Sequence, residues 1–121
     1  MIKGVKFASI PVADQDRALE FYTRKLGCRI LTDQPFNDEQ RWIELGIPGS
    51  ETSLVLFTPA EHKDRIGTFA HVTFWADDVK RTYEELKAKG VEFVGEPQVA
   101  EWGSSAIFQD SEGNKFVMSS K

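Results

Sequence analysis

The chain has 121 residues, 40% hydrophobic and 28% charged, so it is long enough to bury a core without disulfide staples and ordinary for a globular protein. Its net charge of −4, with Lys and Arg scattered, argues against a nucleic-acid partner. No apolar run nears the roughly 20 residues needed to cross a bilayer. Met1-Ile-Lys-Gly also lacks the apolar segment of a signal peptide, so no membrane partner and a cytoplasmic location are expected.

The single cysteine, Cys28, cannot form an internal disulfide, which agrees with a reducing compartment. It follows a predicted helix end rather than opening a helix, and reads as a buried, inert thiol.

In chain order, Val5 to Val12 predicts a first strand, with Pro11 at its end or on an irregular edge. Asp14 is a candidate N-cap for a helix whose apolar stripe is Ala18, Leu19, Tyr22 and Leu26, and Gly27 stops that helix. A second strand begins at Arg29 to Thr32, and the polar stretch Asp33 to Gln40 reads as a loop. Arg41 to Leu45 alternates, with Trp42 and Glu44 on one face and Ile43 and Leu45 on the other. Gly46 to Ser50 is a turn, Ser53 to Thr58 a buried fourth strand, and Pro59 to Gly67 a charged connector.

The pattern then restarts. Phe69 to Ala76 is a strand, Asp77 or Asp78 caps a helix bearing Val79, Tyr83 and Leu86, and Gly90 ends it. Val91 to Val94 is a strand, Gly95 to Gly103 a loop, and Ser104 to Gln109 a further strand. Asp110 to Asn114 is a turn with Gly113 at a position suited to positive φ, and Lys115 to Ser119 closes the chain. Ala13-Asp14 is answered by Ala76-Asp77, and Gly27 by Gly90, at an offset of 63 residues. Each half therefore reads strand, helix, strand, strand, strand. The expectation is one α+β domain over residues 1–121: a first module 1–60, a connector 59–68 and a second module 69–121.

On Val12-Ala-Asp14, Ala18 to Tyr22, Leu26-Gly27, His71, Ala76-Asp77 and Gln109 to Lys115, the whole chain resembles the vicinal oxygen chelate superfamily. That superfamily holds glyoxalase I, the extradiol dioxygenases and the bleomycin resistance proteins. The resemblance implies two tandem βαβββ modules with curved mixed sheets around a concave site, and a homodimer in which each site draws on both chains. It also implies four metal-ligand positions, on the first and last strand of each module. In this chain they map to Phe7, Leu56, His71 and Val117, of which only His71 carries a donor for a metal. Glu44 adds a second donor at most, Glu61 and His62 lie on the connector, and His62 reads as a solvated loop histidine. No metal and no cofactor are therefore expected.

Strand alternation places Ser9, Leu54, Thr73 and Trp75 beside those four positions, with Trp42 and Glu44 joining them and Trp102 at the rim. The candidate ligand-binding set is thus Phe7, Trp42, Glu44, Leu56, His71, Thr73, Trp75, Trp102 and Val117. An apolar, aromatic surface with a few polar groups suits a small-molecule ligand. His71 has three readings: a hydrogen-bonding group toward that ligand, a core histidine, or a general acid/base, in that order. The function expected is a non-catalytic protein that binds an aromatic or amphipathic ligand. The alternative is an enzyme of the superfamily, a glyoxalase-type lyase or isomerase or a dioxygenase, using a divalent ion in a displaced site. A weaker third is a surface that only pairs with protein.

Overall fold

The structure is a computed structural model describing residues 1–61 and 63–121. His62, assigned above to a solvated loop, lies outside the described residues. The chain divides into two compact units, Met1–Ile66 and Gly67–Lys121, each with one mixed sheet and one principal helical segment.

In the first unit, β1 (Phe7–Pro11) leads to Asp14, whose Oδ1 accepts from Arg17 N at 3.0 Å and so satisfies an amide left free by the first turn of α1 (Gln15–Glu20). The helix runs on into a π-helical turn, Phe21–Lys25, in which Leu26 N donates to Phe21 O five residues back. That wider turn changes the expected stripe. Ala18, Phe21 and Tyr22 are the buried residues, Leu19 and Leu26 only partly so, and the Phe21 and Tyr22 rings meet edge to face at 5.3 Å. Gly27, at φ 77°, ends the helix.

Three strands complete the unit: β2 (Arg29–Pro35), β3 (Arg41–Gly46) and β4 (Ser53–Phe57). The sheet order is β1-β4-β3-β2, with β1 parallel to β4 and the other pairs antiparallel. β2 runs on through residues expected in a loop. It is an edge strand, where Pro35 forfeits no internal ladder bond, and it pairs out to Pro35 opposite Arg41. Ile10, Ile43, Leu45, Leu54 and Leu56 share the face covered by α1 and form the core. Phe7, Ser9, Trp42, Glu44 and Val55 share the opposite face.

The second unit opens with β5 (Phe69–Trp75) and α2 (Val79–Ala88). Its N-cap is Asp78, whose Oδ1 accepts from Arg81 N at 3.0 Å. The caps Asp14 and Asp78 are therefore 64 residues apart, while Gly27 and Gly90, both at positive φ, remain 63 apart. The π-helical turn holds the additional residue of the first unit, since a π turn is a one-residue insertion into an α-helix. Then come β6 (Glu92–Phe93), β7 (Gln98–Ala100), β8 (Gly103–Gln109) and β9 (Lys115–Ser119), in the order β5-β9-β8-β6 with β7 also on β8. β7 occupies a stretch expected to be loop. Gly95 at φ 79° and Pro97 interrupt what would otherwise be one strand, leaving two short ones against β8.

The core of this unit is aromatic. Phe116 lies 5.2 Å from Phe74 and 5.6 Å from Phe108, while Tyr83 of α2 meets Phe93 at 4.6 Å. The Asp110–Asn114 turn holds β8 to β9 as expected. Asp110 Oδ1 accepts from Glu112 N and Asn114 N, Oδ2 accepts from Asn114 Nδ2, and Gly113 sits at φ 82°. Among the described residues no helix is long and apolar enough to cross a membrane.

Candidate functional site

The face of the first sheet opposite α1 carries a cavity of about 300 Å³. Its walls are aromatic and aliphatic: Phe7 from β1, Trp42 from β3, Val55 and Phe57 from β4, and Phe36 from the β2–β3 connection, with Ser9, Gln40, Arg41 and Leu56 completing the lining. Phe7 and Trp42 are edge to face at 5.6 Å, and Phe36 tilts over Trp42 at 6.0 Å. Such pairs contribute about 0.5–1.5 kcal/mol beyond area burial and fix ring orientation.

The polar groups around the cavity hold its frame. Phe36 N and Asn37 N donate to Gln40 O, and Asn37 Oδ1 accepts from Glu39 N and Gln40 N, so a short closed turn positions Phe36. Gln40 Oε1 accepts from Thr58 N at 3.1 Å, tying that turn to the end of β4. Gln15 of α1 clamps both strands: its Nε2 donates to Arg41 O and Leu56 O, and its Oε1 accepts from Arg41 N. The Arg41 guanidinium turns toward α1, donating to Asp16 Oδ1 at 2.6 Å and Asp33 Oδ1 at 2.9 Å. These two bonds, Asp16 first, push its pKa further above its ordinary value.

Of the expected site residues, Phe7 and Trp42 line this cavity. Glu44 lies on the same face, two positions along β3 from Trp42 and paired with Val55, and its Oε2 accepts from Ser53 Oγ at 2.6 Å. Leu56 is corrected. It pairs with Ile10 and Ile43 and is 0% exposed, so its side chain belongs to the core and only borders the cavity, and Leu54 follows it. The reason is a one-residue phase error on a strand without alternation, since Ser53 to Leu56 are all buried. The matching pairs Ser9–Val55 and Thr73–Val117 make Val55 the counterpart of Val117. Phe36, Phe57 and Gln15 were missed. Phe36 was detectable as the lone aromatic in a polar connection.

The other expected residues belong to the second unit. His71, Thr73 and Trp75 alternate as exposed positions of β5, and Val117 pairs with Thr73 on that face. His71 is exposed, which removes the core-histidine reading, and it sits where the β5–β9 register shifts between Phe69 and Thr73. Trp75 is 56% exposed with Lys121 Nζ 4.6 Å from its ring centroid, and Trp102 is 68% exposed at the β7–β8 turn. Burial pushes the Cys28 thiol up to about 11, away from reactive values. Among the described residues no three His, Cys, Asp or Glu side chains converge as a metal site. With Val55 replacing Leu56 in the mapped set, His71 is still its one donor side chain.

The family described as the Glyoxalase/Bleomycin resistance protein/Dioxygenase superfamily matches residues 4–118. The chain is 39% identical over 118 residues to the uncharacterised protein YetH of Bacillus subtilis, covering 98% of each. It is similar to the crystal structure of TnmS3, an antibiotic-binding protein from Streptomyces sp. CB03234, at 32% identity and a TM-score of 0.86, covering 98% of this chain and 96% of that one. It is also 32% identical over 114 residues to a probable chloroplastic lactoylglutathione lyase of Arabidopsis thaliana, covering 88% of this chain and 33% of the plant protein.

Proposed function

The chain belongs to the Glyoxalase/Bleomycin resistance protein/Dioxygenase superfamily, and from that premise we propose that it is a binding protein for an aromatic or amphipathic small molecule, acting without the family's metal and as a homodimer. The observation that carries this reading is the cavity walled by Phe7, Phe36, Trp42 and Phe57. Rings at fixed angles offer stacking surface to a flat ligand, and burial of apolar area supplies the driving force. The likeness to TnmS3, which binds an antibiotic, supports the same reading. Exposed Phe69, His71, Thr73 and Trp75 on β5 add a second surface suited to a ligand or a partner protomer.

Isothermal titration of a panel of polycyclic aromatic antibiotics tests it. Saturable binding is expected, weakening about tenfold or more in Trp42→Ala, as removal of a stacking ring at a binding hot spot predicts. No saturable binding across the panel overturns the proposal. Metal analysis of protein purified without chelators tests the metal-free part. Near-stoichiometric Zn, Ni, Mn or Fe that is lost in His71→Ala would overturn the metal-free reading in favour of the enzyme alternative, to which the likeness to the plant lyase lends support. Sedimentation of a monomer at all concentrations overturns the homodimer.

A further inference from the structure

Around the aromatic cavity one carboxylate is placed to do more than hold the frame. The Arg41 guanidinium is turned to the helix side and matched by two carboxylates, so it offers the cavity no free positive charge. Glu44 is on the cavity side. Its partner across the ladder is Val55, a wall residue, and its carboxylate leans to Ser53, which pairs with Phe7. Ser53 Oγ donates to Oε2, and among the described residues Oε1 has no hydrogen-bond partner. Two residues along a strand separate Trp42 from Glu44, about 7 Å.

Resting on the binding function above, we infer that the site selects aromatic ligands carrying a protonated amine, with the ring in the Phe7–Trp42–Phe36 cavity and the ammonium on Glu44 Oε1. Two effects act together. A charge-assisted bond to a half-buried carboxylate is stronger than a neutral one, and a cation near aromatic faces gains from their quadrupoles. An anionic group in the same place is repelled by the Glu44 carboxylate.

Three probes share one ring and differ in charge: 2-(2-naphthyl)ethylamine, 2-(2-naphthyl)ethanol and 3-(2-naphthyl)propanoate. Titrated at pH 7 and low salt, the amine is expected to bind about tenfold more tightly than the alcohol, and the propanoate more weakly than both. The amine's advantage shrinks as salt rises. In Glu44→Gln, which can still accept from Ser53, the amine falls to the affinity of the alcohol. Equal affinities for all three probes overturn the charge selection while leaving the aromatic cavity intact as a binding site. An amine preference that survives in Glu44→Gln overturns the assignment to Glu44. Failure of all three, together with failure of the antibiotic panel, overturns the binding function itself. The wild-type comparison needs no variant to fold.

Discussion

Leu56→Ala separates the two possible phases of β4. Leu56 is 0% exposed among Ile10, Ile43 and the helix side of the sheet, so truncation leaves a void in the core of the first unit. Buried Leu→Ala changes cost about 2.7–5.0 kcal/mol, combining lost transfer energy with the residual cavity. A loss of about 3 kcal/mol is expected here, a large part of the roughly 5–15 kcal/mol that such chains possess. At about 3–4 °C per kcal/mol for a chain of this size, the midpoint drops roughly 10 °C. Urea unfolding followed by far-UV dichroism measures it, with the slope unchanged and the midpoint lowered. Trp42→Phe is the contrast: on the cavity face and partly exposed, it is expected to change ligand affinity more than stability. If Leu56→Ala instead leaves stability within about 0.5 kcal/mol of wild type and abolishes binding, Leu56 faces the cavity and the register reasoning is wrong.

Cys28 is expected to resist alkylation in the native protein at pH 8, where a thiol held near 11 is thiolate in about one molecule per thousand, and to react at once on unfolding. The same burial links stability to pH. The unfolded thiol ionises near 9.0 and the folded one near 11, so its contribution is complete below pH 9 and falls between pH 9 and 11. The loss is on the order of 2–3 kcal/mol, read as the difference between wild type and Cys28→Ala across that window. Asp110→Ala strands three donors, Glu112 N, Asn114 N and Asn114 Nδ2, and is expected to cost about 2–4 kcal/mol in urea unfolding. A cost under about 0.5 kcal/mol would show that water replaces the carboxylate there.

The features legible in the sequence are those with local causes. Capping carboxylates at Asp14 and Asp78, helix-ending Gly27 and Gly90, and the Asp110–Asn114 turn each depend on a few neighbouring residues, and each stands where expected. Alternation placed Trp42 and Glu44 together because β3 has a half-buried face and a buried one. β4 has none: Ser53 to Leu56 are all buried, so either phase fits its residues and only the pairing with β1 and β3 decides. Phe36 escaped because its position depends on a turn closed through Asn37 and Gln40 rather than on periodicity. Gln15 escaped because a glutamine in a first helical turn looks solvent-facing, whereas this one bonds two strands.

The π-helical turn at Phe21–Lys25 also governs how the two halves translate into each other. A length change placed in a loop would have left helix and sheet contacts alone; placed inside a helix, it rotates everything that follows unless the coil itself widens to absorb it. Here the widened coil keeps Tyr22 and Phe21 in the core and still delivers the chain to Gly27 and β2. The helix thus works as a phase adjuster, letting one half differ in residue count from the other while both sheets keep the same strand order along their shared part. Correspondences between the halves must accordingly be drawn segment by segment. His71 answers to Phe7 by the caps that follow them, and Val117 answers to Val55 by the ladders that hold them.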